Sequence, residues 1–263
     1  IFINYEWNES QPIAEDTVSP DGKVLTIWYT IVGERYSFNV TFNEEFTIDD
    51  EHLSSGMDKG SQGIIYSGVS INVKQFFSTI ETTTEGVPED EFNEAKKQLI
   101  IKYYLSDSNT SINAPSDVGH YRFTVTIPSF GNYGESTSVF YDFYIVALKI
   151  ESSVSLEGKN FEYDDSNKLL SDEFNGSRSV RDENGKVIPG TWTYSLDKDG
   201  TFVSADQLNG WPVDAGSYTI YYRVSAGSNY GTDEGSFILS VSPKTISPVS
   251  YTHLRAHETL RHL

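Results

Sequence analysis

Two groups of side chains in this sequence could hold a hard cation. Asp164, Asp165 and Asn167 sit within four residues of one another, and Asp197 and Asp199 precede Gly200. Carboxylate and amide oxygens carried on loops are the ligands Ca2+ takes. Neither group has the twelve-residue spacing or the closing glutamate of an EF-hand, and solvated acidic turns account for both without an ion. Calcium is thus the one cofactor the sequence leaves open, and nothing in it asks for another. Chemistry by histidine is sparse: of five His, three (His253, His257 and His262) crowd the C-terminal end, leaving His52 and His120. His253 and His257 are spaced i, i+4, but His257-Glu258 followed by His262 misses the H-E-x-x-H spacing by one residue. There is no Cys, no G-x-S-x-G elbow and no phosphate-binding glycine loop, so no nucleophile stands beside a base. Acids are numerous, 38 Asp and Glu, and chance carboxylate pairs are correspondingly common, but no glycosidase pair stands out. The expectation is a chain that is not an enzyme.

Rings are the other resource. The chain holds 17 Tyr, 15 Phe and 4 Trp, and exposed rings flanked by polar groups can stack against sugars. Lys102 and Lys149 lie among apolar residues, the setting for a covalent lysine–asparagine link, although strand alternation turning them outward is the plainer reading.

Which elements carry these residues follows from composition and an internal repeat. A formal charge of −19 disfavours nucleic acid and anionic membranes as partners. An aromatic content of 14% is far above that of a disordered acidic tail, and no apolar run is long enough to span a bilayer. Pro115-Ser-Asp117-Val-Gly119-His-Tyr121 and Asn132-Tyr133-Gly134 recur as Pro212-Val-Asp214-Ala-Gly216-Ser-Tyr218 and Asn229-Tyr230-Gly231 at a constant offset of 97. Seven of the twenty paired positions are identical, where composition alone gives about one or two. Tyr121, Phe123, Val125 and Ile127 alternate with polar residues, as do Tyr218, Ile220, Tyr222 and Val224. Period two with one apolar face is a strand half buried in an antiparallel sheet. The fold class is therefore all-β: immunoglobulin-like sandwiches in tandem, the first truncated.

The repeat also serves as an internal control on the aromatics. Tyr121/Tyr218 and Tyr133/Tyr230 recur and read as structural, whereas Trp211 stands opposite Ala114 and Tyr221 opposite Thr124. Trp211 and Tyr221 are thereby free to contact a glycan, against the plainer reading of Trp211 as a cover for one end of a sandwich.

The boundaries expected are half a sandwich over 1–47, a linker over 48–62, a sandwich over 63–149, a second over 150–248 and a non-native tail over 249–263. In the first of these, Lys23–Ile31 and Arg35–Phe42 read as a hairpin through Val32-Gly33-Glu34. Within 63–149, strands are expected at Ile64–Val73, Gln98–Leu105 and Ser138–Ile150; within 150–248, at Ser153–Leu156, Gly190–Leu196 and Gly235–Ser242. Pro88 followed by three acids, with Lys96 and Lys97 late, predicts a short helix. The chain opens at Ile1 inside an apolar run and reads as an internal fragment. Val249 to Thr259 back-translates into a sequence that resembles a library adapter read as coding, so the tail and its histidines are set aside.

Asp-x-Gly-x-Tyr before a strand resembles the tyrosine corner of immunoglobulin-like sandwiches. In antibody domains a Cys lies two residues after the Tyr; here Phe123 and Ile220 take those places. The second copy resembles the bacterial Ig-like repeats called MBG domains. The matching stretches are Phe161–Asp165, Gly190–Tyr194, Pro212–Tyr218, Asn229–Gly231 and Ser242–Ile246. The first copy resembles them through its second half, and Ser19–Gly22 with Tyr36–Phe42 is similar to the closing hairpin of another bacterial Ig-like type. The resemblance implies tandem modules of a large secreted or wall-anchored bacterial protein. Such modules act as stalks, spacers or adhesive arms outside the cell, with a glycan or cell-surface protein as partner.

Overall fold

A computed structural model of the chain describes residues 17–18, 25–26, 33–54, 57–208 and 212–247. The expected tail, Trp211 and most of the Lys23–Ile31 strand lie outside the described residues. Two short strands, β1 (Thr17–Val18) and β2 (Leu25–Thr26), pair antiparallel near the start. The rest is almost entirely strand and turn, divided into two compact units. The first comprises Ile1–Ile48, Asp58–Ile64 and Val69–Tyr144; the second comprises Asp49–Met57, Ile65–Gly68 and Ile145–Leu263.

In the first unit, β3 (Phe38–Phe42) pairs antiparallel with β5 (Phe77–Thr82). The larger sheet runs β4 (Gly63–Ile65), β10 (Tyr141–Val146), β8 (Gly119–Ile127), β6 (Ile100–Leu105), β7 (Ser111–Ile112), with β9 (Ser136–Thr137) on β8. Phe123, Val125 and Ile127 point into the core at 0% exposure, the face that alternation assigns them. The two sheets close on each other through rings: Phe42 and Phe77 meet Phe123 at 6.0 and 6.2 Å, and Phe46 meets Phe143 at 5.9 Å. Centroid separations of this size are the favourable aromatic range. Helix α1 (Glu89–Lys96) starts after Pro88, carries three acids in its first turn and buries Phe92 and Ala95, as its sequence predicts.

The second unit repeats the plan. Strand β11 (Ile150–Val154) pairs antiparallel with β13 (Arg178–Asp182). The sheet opposite runs β12 (Phe161–Glu162), β16 (Thr232–Ser242), β15 (Gly216–Ser225), β14 (Thr191–Ser195). Ile150 and Val180 from one sheet share a core with Trp192, Tyr194, Ile220, Val224 and Leu239 from the other. A four-residue helix, α2 (Asp172–Asn175), places Phe174 against Tyr194 and Phe237.

Local details recur as well. Tyr121 Oη donates to the Asp117 carbonyl at 3.0 Å, and Tyr218 Oη to the Asp214 carbonyl at 2.8 Å. Asn72 and Asn167 each cap a single 3-10 turn by accepting from the backbone N–H two residues on. The next contact is also shared: Ile71 N donates to the Pro115 carbonyl, and Lys168 N to that of Pro212. The expected outcome for Tyr121→Phe and Tyr218→Phe is a loss of about 1 kcal/mol each, the worth of one hydrogen bond. Urea unfolding of each variant beside the parent checks it.

Residues 34–48 are where the expected boundaries fail. They do not belong to a separate half sandwich: β3 supplies one sheet of the first unit, and Tyr36, Phe38, Val40, Phe46 and Ile48 are buried in it. The Asn-Tyr-Gly turn explains the arrangement. In the first unit Glu34 N donates to the Asn132 carbonyl and Gly134 N donates back to Glu34. In the second, Leu148 N donates to the Asn229 carbonyl and Gly231 N donates back to Leu148. Each turn thus grips the chain as it enters its own sandwich. The grip in the first unit is so close that a Cβ on Gly33 would come within 2.2 Å of the Gly134 nitrogen, which reserves that crossing for glycine.

The expected linker is not a free tether either. Thr47 bridges Gln62, and Ile48 N donates to the Ser61 carbonyl, so its ends close on themselves, while Asp49–Met57 belongs to the second unit. Several expected strands change extent: Ile64–Val73 shrinks to β4, Ser138–Ile150 divides into β10 and the start of β11, Ser153–Leu156 ends at Val154 within β11, and Gly235–Ser242 begins earlier as β16.

Candidate functional site

The acidic cluster proposed for calcium is built around a lysine. After β12 the chain turns through Asp165, which adopts a left-handed φ of +66°. Asp164 Oδ1 then accepts from Ser166 N at 3.0 Å and from the Lys168 ammonium. Lys168 is 3% exposed, and its Nζ also donates to Ser166 Oγ at 3.2 Å. The hydrogen bond from Lys168, joined by that from Ser166, pulls the Asp164 pKa down to about 2. Asn167 is committed elsewhere, accepting from Leu169 N at 3.0 Å and donating to the Ala205 carbonyl at 2.9 Å. A cation is thus already in place, and it is an ammonium. Asp197 accepts from the Asp199 N–H at 3.1 Å within its own turn. Among the described residues no group of three or more His, Asp or Glu is arranged to hold a metal ion.

Both described histidines pair with carboxylates. His120, exposed on β8, lies 3.1 Å from Asp142 and stacks on Tyr144 at 4.2 Å. His52 lies in the Asp49–Met57 segment of the second unit, with its side chain 8% exposed. Its Nδ1 meets Asp49 Oδ1 at 2.6 Å and its Nε2 meets Glu183 Oε2 at 3.0 Å; Lys149 pairs with Glu51 alongside at 3.0 Å. Burial by itself would lower the His52 pKa, but the hydrogen bonds and charges of Asp49 and Glu183 outweigh it and hold it above 6.5. A raised folded-state pKa means the stabilisation is full below the unfolded value and is lost as pH rises through the folded one. The expected outcome is a fall in the denaturation midpoint of the second unit as pH rises from below the ordinary histidine value to well above it, a fall that His52→Gln abolishes. Urea titrations of both proteins across that range check it.

Lys102 and Lys149 are exposed, so neither sits in the buried setting that a lysine–asparagine link requires. Tyr221 is half-buried on the outward face of β15, paired with Ser195 on β14 and Ser236 on β16. Two residues further along the same face, Arg223 lies over the Phe202 ring at 4.0 Å and pairs with Glu234 at 3.1 Å. Beside them opens a cleft of about 440 Å³ lined by Thr191, Thr193, Arg223, Ser225, Thr232 and Glu234, among others. Sequence reasoning singled out Tyr221 but not this cleft, because Thr191, Thr193 and Thr232 come from strands far apart in the chain. Among the described residues no helix is long and apolar enough to cross a membrane.

No family model matches the chain, and neither does any curated protein. Among solved structures, one of Drosophila N-cadherin EC1-4 aligns over 70% of this chain and 47% of its own length, with 11% identity and a TM-score of 0.23. The chain thus spans under half of that neighbour, and a superposition this loose supports no argument about function. The all-β sandwich architecture rests on the strands and cores described above.

Proposed function

We propose that this chain is a non-catalytic run of structural modules from a secreted or wall-anchored bacterial surface protein, of the MBG type that its second unit resembles. The observation that carries the reading is the repetition of one plan twice in immediate succession. Only residues 147–149 separate the last strand of the first plan from the first strand of the second. Repetition of one fold with so little intervening chain is the organisation of a run of structural modules. The excess of acid keeps such an arm soluble and repelled by its neighbours, which suits a module outside the cell. Stretching single molecules tests this. Two abrupt unfolding events are expected, each releasing roughly 300–400 Å of chain at ~3.3–3.6 Å per residue. Smooth lengthening at low force would remove the mechanical role.

The cleft beside Tyr221 favours a second reading, carbohydrate binding by the outward face of the second unit. The half-buried Tyr221 ring stands two residues along β15 from an open cleft in which Thr191, Thr193, Thr232 and the Arg223–Glu234 pair set polar groups among apolar surface, the mixture that holds a sugar. A glycan array probed with the parent and with Tyr221→Ala decides it. Binding that the substitution removes supports recognition, and a blank array leaves the spacer.

A further inference from the structure

The outward face of the first unit's large sheet differs in chemistry from the same face of the second. Along the outward side of β8, His120 is exposed and Arg122 half-buried, while Thr124 and Thr126 are covered at 5% exposure; at the shared offset the second unit carries Ser217, Thr219, Tyr221 and Arg223. The plan therefore accepts very different residues here, and the exposed His120 and half-buried Arg122 are not dictated by the shared fold. Three rings and three nitrogenous groups gather on it. Arg122 pairs across the strands with Tyr104, and Thr124 with Lys102. The Arg122 guanidinium lies over the Phe140 ring at 4.1 Å, and Tyr104 meets that ring edge-on at 5.2 Å. The His120–Tyr144 stack joins β8 to β10 on the same side of the sheet.

Phe140 is 40% exposed although two partners flank it, so part of its ring remains open. Arg122 is held from below: its Nη2 donates to the Ser108 carbonyl and to Asn109 Oδ1, both at 2.8 Å. That fixes the guanidinium against the ring, and its Nη1 makes no hydrogen bond among the described residues. Lys102 is exposed and forms no ion pair among them. The single acid at the outward positions of these three strands, Asp142, is occupied by His120. In a chain of formal charge −19, a face with two uncompensated cations set among rings selects an anion that also offers a surface to stack. A cation already stacked on an aromatic loses little order when an anion arrives.

We infer that this face binds carboxylated sugar polymers, with Lys102 and Arg122 meeting the carboxylates and Phe140, Tyr104 and Tyr144 meeting the sugar rings. The inference does not depend on the Tyr221 cleft, which lies on the other unit. The test is a calorimetric titration of the full chain with a hexamer of galacturonic acid, beside a neutral galactose hexamer of equal length. The acidic hexamer is expected to bind and the neutral one to bind at least roughly tenfold more weakly. Affinity should fall as salt rises. Phe140→Ala and Lys102→Gln, both at exposed positions outside the core, should each weaken binding roughly tenfold. Absence of binding, equal binding of the two hexamers, or binding that neither substitution weakens would overturn the assignment. So would concentration-dependent self-association that Phe140→Ala abolishes while no hexamer binds, because the occupant would then be a second copy of the chain.

Discussion

Deleting residues 1–47 is expected to unfold the first unit. A protein starting at residue 48 keeps every strand of the larger sheet but loses β3 and the buried side chains of Tyr36, Phe38, Val40 and Phe46. Burying an apolar side chain of this size contributes about 1.5–3 kcal/mol, and a whole domain is stable by only about 5–15 kcal/mol. The loss is therefore of the order of the total. It also strips the cover from Phe123 and Phe143, which would then face water. In a heteronuclear correlation spectrum, the amides of β6, β8 and β10 should collapse to narrow, poorly dispersed signals. A dispersed spectrum from the shortened protein would restore the partition in which a sandwich begins near residue 63.

The second large effect is Phe123→Ala. Phe123 is 0% exposed and meets Phe42, Phe77, Tyr103, Tyr141 and Phe143 at centroid distances of 5.4–6.4 Å. Removing the ring leaves a cavity that neighbouring rings cannot collapse to fill, and the expected cost is about 3–5 kcal/mol. Ile220, its counterpart, is also 0% exposed, and Ile220→Ala should cost about 2–5 kcal/mol. Denaturant unfolding followed by signals assigned to each unit measures both. A cost under about 1 kcal/mol at either position would mean that its inward face is not the core.

The half of each sandwich that contains Asp-x-Gly-x-Tyr was legible in the sequence because nothing is inserted there. From Pro115 to Gly134 one offset holds, and the alternation it carries matches β8 and β15 in extent and inward face. The other half was not legible as a repeat. The clamped residue is Glu34 in one unit and Leu148 in the other, an offset of 114 rather than 97. Helix α1 and the Asp49–Met57 excursion interrupt the first unit and have no equals in the second. Upstream of Pro115 the two units therefore keep no constant offset, and the alternation of Tyr36, Phe38, Val40 and Phe42 carries no mark of the sandwich it joins. The strand was read well; its partner, β5, lies some forty residues away, and pairing at that range leaves no local signal.

Among the candidate sites, the carboxylates were visible but their partner was not. Lys168 stands four residues after Asp164, a spacing that on a turn brings an ammonium onto the carboxylate as readily as it leaves room for an ion. The aromatic and cationic face of the first unit was missed for a similar reason. Tyr104 and Arg122 come from β6 and β8 and Phe140 from the connection that leads into β10, and only the sheet order brings them together.

Amide hydrogen exchange tests most directly whether both sandwiches grip their entering strand with the Asn-Tyr-Gly turn. Gly134 N–H donates to Glu34 at 3.0 Å and Gly231 N–H to Leu148 at 2.9 Å. Protection of both glycine amides, together with that of Glu34 and Leu148, is the predicted result. Slow exchange at Gly231 and Leu148 beside fast exchange at Gly134, Glu34 and the amides of β3 would contradict it, for the first sandwich would then begin elsewhere and the two would not share one design.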